Sequence, residues 1–316
     1  FNAGTEEAVG WAIPMATDIA FALGVVSLLG SRVPSSVKVF LTTLAIVDDL
    51  GAVIVIALFY TSQISVLNVL LGLGFLLLMF IGNKLGVKNL LFYALLGIAG
   101  VWVCFLLSGV HATIAAVLAA MTIPADSAID ENTFLHRVRK LTRRFDKAES
   151  NDFRTLEKEQ VEILAHIQKD TTTAIPPLQL IEHHLNPIVT FIVLPVFAFA
   201  NAGVNLVDID WSAVFATNIT IGVALGLLVG KPLGVVGVSW LLSKLGFAKT
   251  PADMSKRQLL GLGFLASIGF TMSMFVSTLA FQTEMMLTQA KIGIFLASIL
   301  GGLIGYKLLK SSSNKN

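Results

Sequence analysis

From Leu50 to Asn83, and again from Asn89 to Ala125, the chain carries no Asp, Glu, Lys or Arg. A helix needs about 20 mostly apolar residues to cross a hydrocarbon core, so each run is long enough for most of two crossings. The runs are too long and too uniformly apolar to alternate in and out like barrel strands. Composition agrees, with 55% of 316 residues hydrophobic and 13% charged, against about 25% charged in a soluble domain. An ordinary soluble globular protein is excluded, and the chain reads as an all-α polytopic membrane protein.

Nine spans follow, at residues 11–30, 37–60, 64–83, 89–107, 109–124, 185–204, 212–242, 258–282 and 288–308. Residues 1–124 hold five of them, 125–180 form a charged insert, 181–310 hold the other four, and 311–316 are a tail. Lys and Arg concentrate on the cytoplasmic side. Arg32 and Lys38, Lys84 and Lys88, the insert, Lys244 to Arg257, and Lys307 to Lys315 all fall in alternate loops. The loops at Thr61–Gln63, Ser108–Gly109 and Val207–Asp210 have neither residue, and Gln282–Gln289 has only Lys291 at its edge. The insert and the C-terminus are therefore expected in the cytoplasm and Phe1 outside. Phe1-Asn2-Ala3 offers no Met, no basic n-region and no cleavage site, so it is no signal peptide and reads as the start of a fragment. If the parent begins in the cytoplasm, an odd number of spans precedes it.

The partner implied throughout is the lipid bilayer. A net charge of +2 without a basic patch interleaved with aromatics argues against nucleic acid. Cys104 alone allows neither a disulfide framework nor a thiolate metal site and reads as a packing residue. The insert is soluble in character. Phe134, Val138, Leu141 and Phe145 recur at helical spacing beside Arg137, Arg139, Lys140, Arg143 and Arg144, and Phe153, Leu156, Leu164 and Ile167 suggest a second helix before Pro176-Pro177. Either a basic amphipathic helix lies on the anionic leaflet, or the insert is a solvated connecting hairpin.

Five titratable residues sit inside apolar spans: Asp18, Asp48, Asp49, His111 and Lys231. A charge there costs about 2.5–3.5 kcal/mol on insertion scales and marks an ion or proton pathway by default. Asp48 and Asp49 lie near mid-span, and neighbours on a helix point about 100° apart. One carboxylate can face a water-filled cavity while the other meets a protein partner. Carboxylate oxygens suit a small hard cation and also bind protons, so the two ligands compete for the same atoms. Pro14 interrupts a helix, and Thr17 and Asp18 can cap a new start. Gly261 to Ser273 reads as a second interruption. Two broken segments in matching halves point to an inverted repeat with the ion site between them. Gly222, Gly226, Gly230 and Gly234 make a smooth face beside Lys231, which can neutralise an aspartate or the negative end of a broken helix. His111 reads first as a hydrogen-bonded packing residue, with ligation as its alternative. Glu182-His183-His184, at the mouth of the sixth span, either senses pH or is an interfacial polar cluster. No P-loop, H-E-x-x-H or Gly-x-Ser-x-Gly motif occurs, so no enzyme is expected and ion gradients must drive any transport.

With these residues in place, the chain resembles the NhaA-type sodium/proton antiporters, an inverted-repeat family. The resemblance covers about residues 11–124 and 180–308. It is carried by Gly10 to Pro14 with Thr17 to Gly24, Ala45 to Ala52, Ser108 to Thr113, Leu194 to Gly203, Gly230 to Gly234 and Gly269 to Ser273. It implies a twelve-helix inner-membrane exchanger of which three helices precede this chain. It also implies two discontinuous crossing helices, no cofactor, and Na+, Li+ and H+ as transported ions. Asp49 becomes the principal cation ligand. Asp48 is its partner at the cation, salt-bridged to Lys231, and Thr17 and Asp18 stand where the broken helices cross, Asp18 balancing helix ends of like sign. Two protons exchange for one sodium or lithium ion at alkaline pH, with Asp48 or Lys231 carrying the second. A homodimer of the full-length protein is implied too. Asn186 stands where the family often has a second histidine, and the 125–180 insert is longer than the family's usual connection. A sodium-coupled symporter of an organic anion on the same fold is the alternative. A membrane anchor whose working part is the insert is the remaining one.

Overall fold

The computed structural model describes residue 2 and residues 4–61, 64–148, 155–203, 217–247, 251 and 254–313. Every regular element among them is helical. A 3₁₀ helix, Glu6–Met15, is followed by α1 (Ile19–Ser27), α2 (Ser35–Phe59), α3 (Val66–Lys84), α4 (Leu90–Ser108) and α5 (Ala112–Thr122). Then come α6 (Glu131–Lys147), α7 (Lys158–Ala174), α8 (Pro177–Asn201), α9 (Asn218–Lys244), α10 (Lys256–Ala266), α11 (Phe270–Ala280) and α12 (Glu284–Ser313).

Six of these helices are long and apolar enough to cross a membrane, and two bent pairs bring the count to eight. The pairs are Glu6–Met15 with α1, bent by 40°, and α10 with α11, bent by 42°. The fifth expected span, 109–124, contains only α5. Its 11 residues rise about 16 Å, well short of a hydrocarbon core. The sixth begins earlier than expected, because Pro177 is pre-set for the first helical turn and carries the helix through Glu182, His183 and His184. These three therefore lie on a helix and not in a loop before it. Ser62–Gln63, Phe153, Val207–Asp210, Lys249 and Lys315 lie outside the described residues.

The chain divides into two compact units, Thr61–Val189 and the remainder. Within the first, α3, α4 and α5 pack around Met79, Tyr93, Val101, Phe105 and Ala115. The α6–α7 hairpin packs on itself. Phe134, Val138, Leu141 and Phe145 are half-buried and Ile163 of α7 is fully covered, while Arg137–Asp170 (3.4 Å) and Arg144–Glu159 (3.7 Å) bridge the two helices. The expected apolar face of the second helix is corrected: Leu156 precedes α7 and Leu164 is exposed, and Gln160, Ile163 and Ile167 do the packing. Since α7 covers the apolar edge of α6, that edge is not available to enter a leaflet.

In the other unit α9, α10 and α12 pack most closely. A Cβ on Gly293 would stand 2.8 Å from the Thr220 carbonyl, and one on Gly301 2.9 Å from that of Phe264. Both of these glycines sit on α12. In the row at 222–234, Gly226 is pressed, 2.9 Å from Pro14, whereas Gly230 has only the Leu225 carbonyl of its own helix near it and Gly234 faces open space. Position 226 also opens a π-helical stretch, Gly226–Gly230, that ends at Lys231. Such bulges recur at functional sites. Outward aromatics such as Phe191 and Phe199, 78% and 88% exposed, suit a lipid-facing surface.

Candidate functional site

Both bent pairs break at the same place in space. After Met15 the backbone turns extended through Ala16, and the Asp18 amide donates to the Ile268 carbonyl at 2.6 Å. Ile268 lies between α10 and α11, where Gly269 is needed because a Cβ there would meet the Ala16 carbonyl at 3.1 Å. Each break frees backbone groups that a continuous helix would satisfy. Side chains take them up.

Asp18, 2% exposed, caps two helices at once. Its Oδ1 accepts from the Phe21 amide (3.1 Å), in the first turn of α1. Its Oδ2 accepts from the Thr271 amide (3.0 Å) and hydroxyl (2.7 Å), in the first turn of α11. One carboxylate thereby compensates two positive helix ends. Lys231 does the converse: its Nζ donates to the carbonyl of Met15, the last residue of the 3₁₀ helix. The same Nζ lies 2.8 Å from Asp48 Oδ2, with the two side chains 7% and 23% exposed. The two roles read from the sequence for Lys231 are both present.

Thr17 Oγ1 lies 2.6 Å from Asp48 Oδ2 and 3.0 Å from the Ala266 carbonyl at the end of α10. Asp49 differs from all of these. It is the fifteenth residue of the 25-residue α2, half-buried, and its Oδ1 is buried with no hydrogen-bond partner. Buried polar atoms are nearly always paired, so an orphaned carboxylate oxygen is the natural opening for a ligand. Three carboxylates and one ammonium thus gather at the crossing, and together they carry an excess of negative charge when all are ionised. Among the described residues no group of three or more His, Cys, Asp or Glu is arranged to hold a metal ion. Carbonyls, hydroxyls and water are oxygen ligands that can complete a hard cation's shell beside a carboxylate.

Of the residues singled out from sequence, Thr17, Asp18, Asp48, Asp49 and Lys231 come together. His111 is the N-cap residue of α5, and Glu182, His183 and His184 are exposed on α8, all in the unit that does not contain the ion cluster. His184 Nδ1 lies 2.7 Å from the Leu180 carbonyl, and the rings of His183 and His184 meet edge-on at 6.0 Å. Thr271 is the side chain that sequence reasoning missed. Its signal was present, a hydroxyl residue in the first turn after a glycine break. The Met15 and Ala266 carbonyls leave no trace in a sequence.

Residues 1–309 match the Na+/H+ antiporter 1 family. The chain belongs to this family. Among its relatives, the sodium/proton antiporter NhaA 1 of Psychromonas ingrahamii is 46% identical over 312 residues, covering 99% of this chain and 71% of the relative. The antiporter NhaA of Oleidesulfovibrio alaskensis is 45% identical, covering 98% and 68%. That of Helicobacter pylori is 46% identical, covering 96% and 68%. Membership places the chain among multi-pass membrane transporters, not enzymes, and gives the apolar, lipid-facing helices their setting.

Proposed function

We propose that this chain exchanges sodium ions for protons, with the cluster at the two helix breaks as the exchange site. The orphaned Asp49 Oδ1, beside the Asp48–Lys231 pair, carries the reading. A small cation gains the Asp49 carboxylate and can share Asp48 with Lys231 and the Thr17 hydroxyl. A proton occupies the same oxygens, so the two ligands exclude each other, which is the requirement for obligatory exchange. Sodium is released when protons load the carboxylates, and the emptied or reloaded site then refaces. Lithium, smaller and equally hard, is a second cargo.

The finer reading follows the same lines. Two protons move per cation, the second held between Asp48 and Lys231, so exchange is electrogenic. The two bent pairs are the matching middle helices of an inverted repeat, and nine segments enter the membrane, the short α5 completing its crossing only with the flanking residues of 109–124. The insert and C-terminus face the cytoplasm, the membrane is the bacterial inner membrane, and the full-length protein is a homodimer. Glu182, His183, His184 and His111 form the sensing set for activation at alkaline pH. The antiporter reading is preferred to the symporter of an organic anion because the family's named members are antiporters.

The test uses the protein in proteoliposomes with a trapped pH-sensitive dye, pulsed with sodium at alkaline pH. Sodium-dependent proton movement is expected, and Asp49→Asn is expected to abolish it. Exchange that survives in Asp49→Asn rejects the site; no response to sodium or lithium at any pH rejects antiport.

A further inference from the structure

The face of α6 turned away from α7 carries basic charge that no ion pair answers among the described residues. Placed at 100° per residue, Phe134, Val138, Leu141 and Phe145 form one side of α6, the side half-buried on α7. Arg137 and Arg144 flank that side and pair with Asp170 and Glu159. His136, Lys140, Arg143 and Lys147 fall together on the opposite side, within about 60° of one another, with Arg139 next to them and Asp146 at the border. All are exposed, and among the described residues none of the four Lys and Arg is in an ion pair.

The hairpin is also held close to its membrane-crossing neighbours. Eight residues separate α5 from α6, and two separate α7 from α8. The Lys88 ammonium, between α3 and α4, donates to the Asp126 and Ser127 carbonyls at 2.8 and 2.6 Å. The Leu178 amide donates to the Pro124 carbonyl (3.2 Å) and the Ala128 amide to the Thr173 carbonyl (3.3 Å). Both roots are thus pinned beside the ends of apolar helices, within a short reach of lipid headgroups.

We infer that the outward face formed by Arg139, Lys140, Arg143 and Lys147 is a docking surface for anionic phospholipid headgroups. The argument is charge complementarity at a tethered position. Screening confines such attraction to about 8 Å at physiological salt, so an unpaired basic row gains from an anionic leaflet only where the fold already holds it nearby. Binding is by headgroup contact alone, because the apolar edge of α6 is occupied by α7. This distinguishes it from an amphipathic helix that inserts. The inference is independent of the exchange reaction.

The test places a fluorophore at Asn132→Cys, on the same face, in a Cys104→Ser background. Energy transfer to acceptor-labelled headgroups is measured in nanodiscs of phosphatidylcholine with and without phosphatidylglycerol. Transfer is expected to rise with phosphatidylglycerol and to fall back as salt is added. Arg139, Lys140, Arg143 and Lys147 changed together to Gln should remove the lipid response. Each charge is worth a factor of about five in the docked-to-undocked ratio, and all four a factor on the order of several hundred. Equal transfer in both lipids, a salt-independent signal, or a response retained in the quadruple variant overturns the inference. The salt series leaves the basic row unchanged and stands even if the quadruple Gln variant unfolds.

Discussion

Replacing Lys231 by Met leaves its volume nearly intact and removes its charge. In the native protein Lys231 Nζ lies 2.8 Å from Asp48 Oδ2 and also donates to the Met15 carbonyl. Its side chain is 7% exposed, so water cannot take over either role. Breaking a buried pair by removing one partner costs about 3–5 kcal/mol, because the other charge stays behind uncompensated. The orphaned carbonyl adds about 1 kcal/mol or more. At about 2 °C per kcal/mol for a chain of this size, the melting temperature should drop by roughly 8–12 °C. Asp48→Asn alone should cost a similar amount by stranding the ammonium. The double variant, with neither charge of the pair left, should be far less destabilised than the two single costs added together. Asp48 at 23% exposed sets the lower end of that range, since partial solvation relieves its loss. Thermal unfolding of the four proteins in one detergent measures the cycle. If the single costs add to within about 0.5 kcal/mol, the spread seen for independent sites, the pair contributes no coupling and the reasoning fails.

Three further outcomes are expected. Thr271→Val removes the hydroxyl that Asp18 Oδ2 accepts at 2.7 Å and should cost about 1.5–3 kcal/mol, the worth of a hydrogen bond to a charged group, read as a thermal shift; Thr271→Ser should restore most of it. Gly269→Ala forces a Cβ to 3.1 Å from the Ala16 carbonyl and 2.3 Å from Ser273 Oγ. The second contact can rotate away but the first is backbone, so a loss of about 1–3 kcal/mol and lowered exchange are expected; wild-type stability and activity would show that the crossing is looser than its geometry. The Thr133 hydroxyl and amide hold the Asp130 carboxyl below its ordinary value, where Asp130 caps α6. A depressed folded value means the cap's contribution is present above the unfolded value, about 3.9, and is lost as pH falls through the lower, folded one. Amide exchange at the start of α6 should therefore be insensitive to pH from neutrality to about 5, once corrected for its intrinsic rate, and lose protection only in more acid conditions. Asp130→Ala should lose it at every pH.

The charges were the readable part. Asp18, Asp48, Asp49 and Lys231 stand out because an ionised group in an apolar run costs free energy that only a partner recovers, and the structure brings all four into one cluster. Pro14 and Gly269 marked both breaks for the same kind of reason, a missing donor and a missing Cβ. Less was readable wherever a residue's neighbours, and not its own chemistry, set its role. The glycine row at 222–234 had the spacing of a contact face, yet Gly234 faces open space while Gly293 and Gly301 of α12 are pressed against neighbouring backbone. Leu164 had helical spacing but points away from the packed side of α7. Whether the basic insert could bury its apolar edge in a leaflet was open until α7 was seen against that edge.

By itself the sequence determined that this chain lives in a bilayer, that it is helical, and that a few buried charges must find partners. Those conclusions rest on transfer free energies and backbone hydrogen bonding, which depend on composition and spacing alone. Which carboxylate is paired and which is left open was a matter of tertiary structure. Asp48 and Asp49 are adjacent and chemically identical, and only the placement of Lys231 and Thr17 from distant segments satisfies the first and leaves an oxygen of the second bare. Long-range geometry also made Asp18 the cap of two helices whose starts lie some 250 residues apart. No local pattern encodes that, because the second helix end reaches Asp18 only when the two breaks cross.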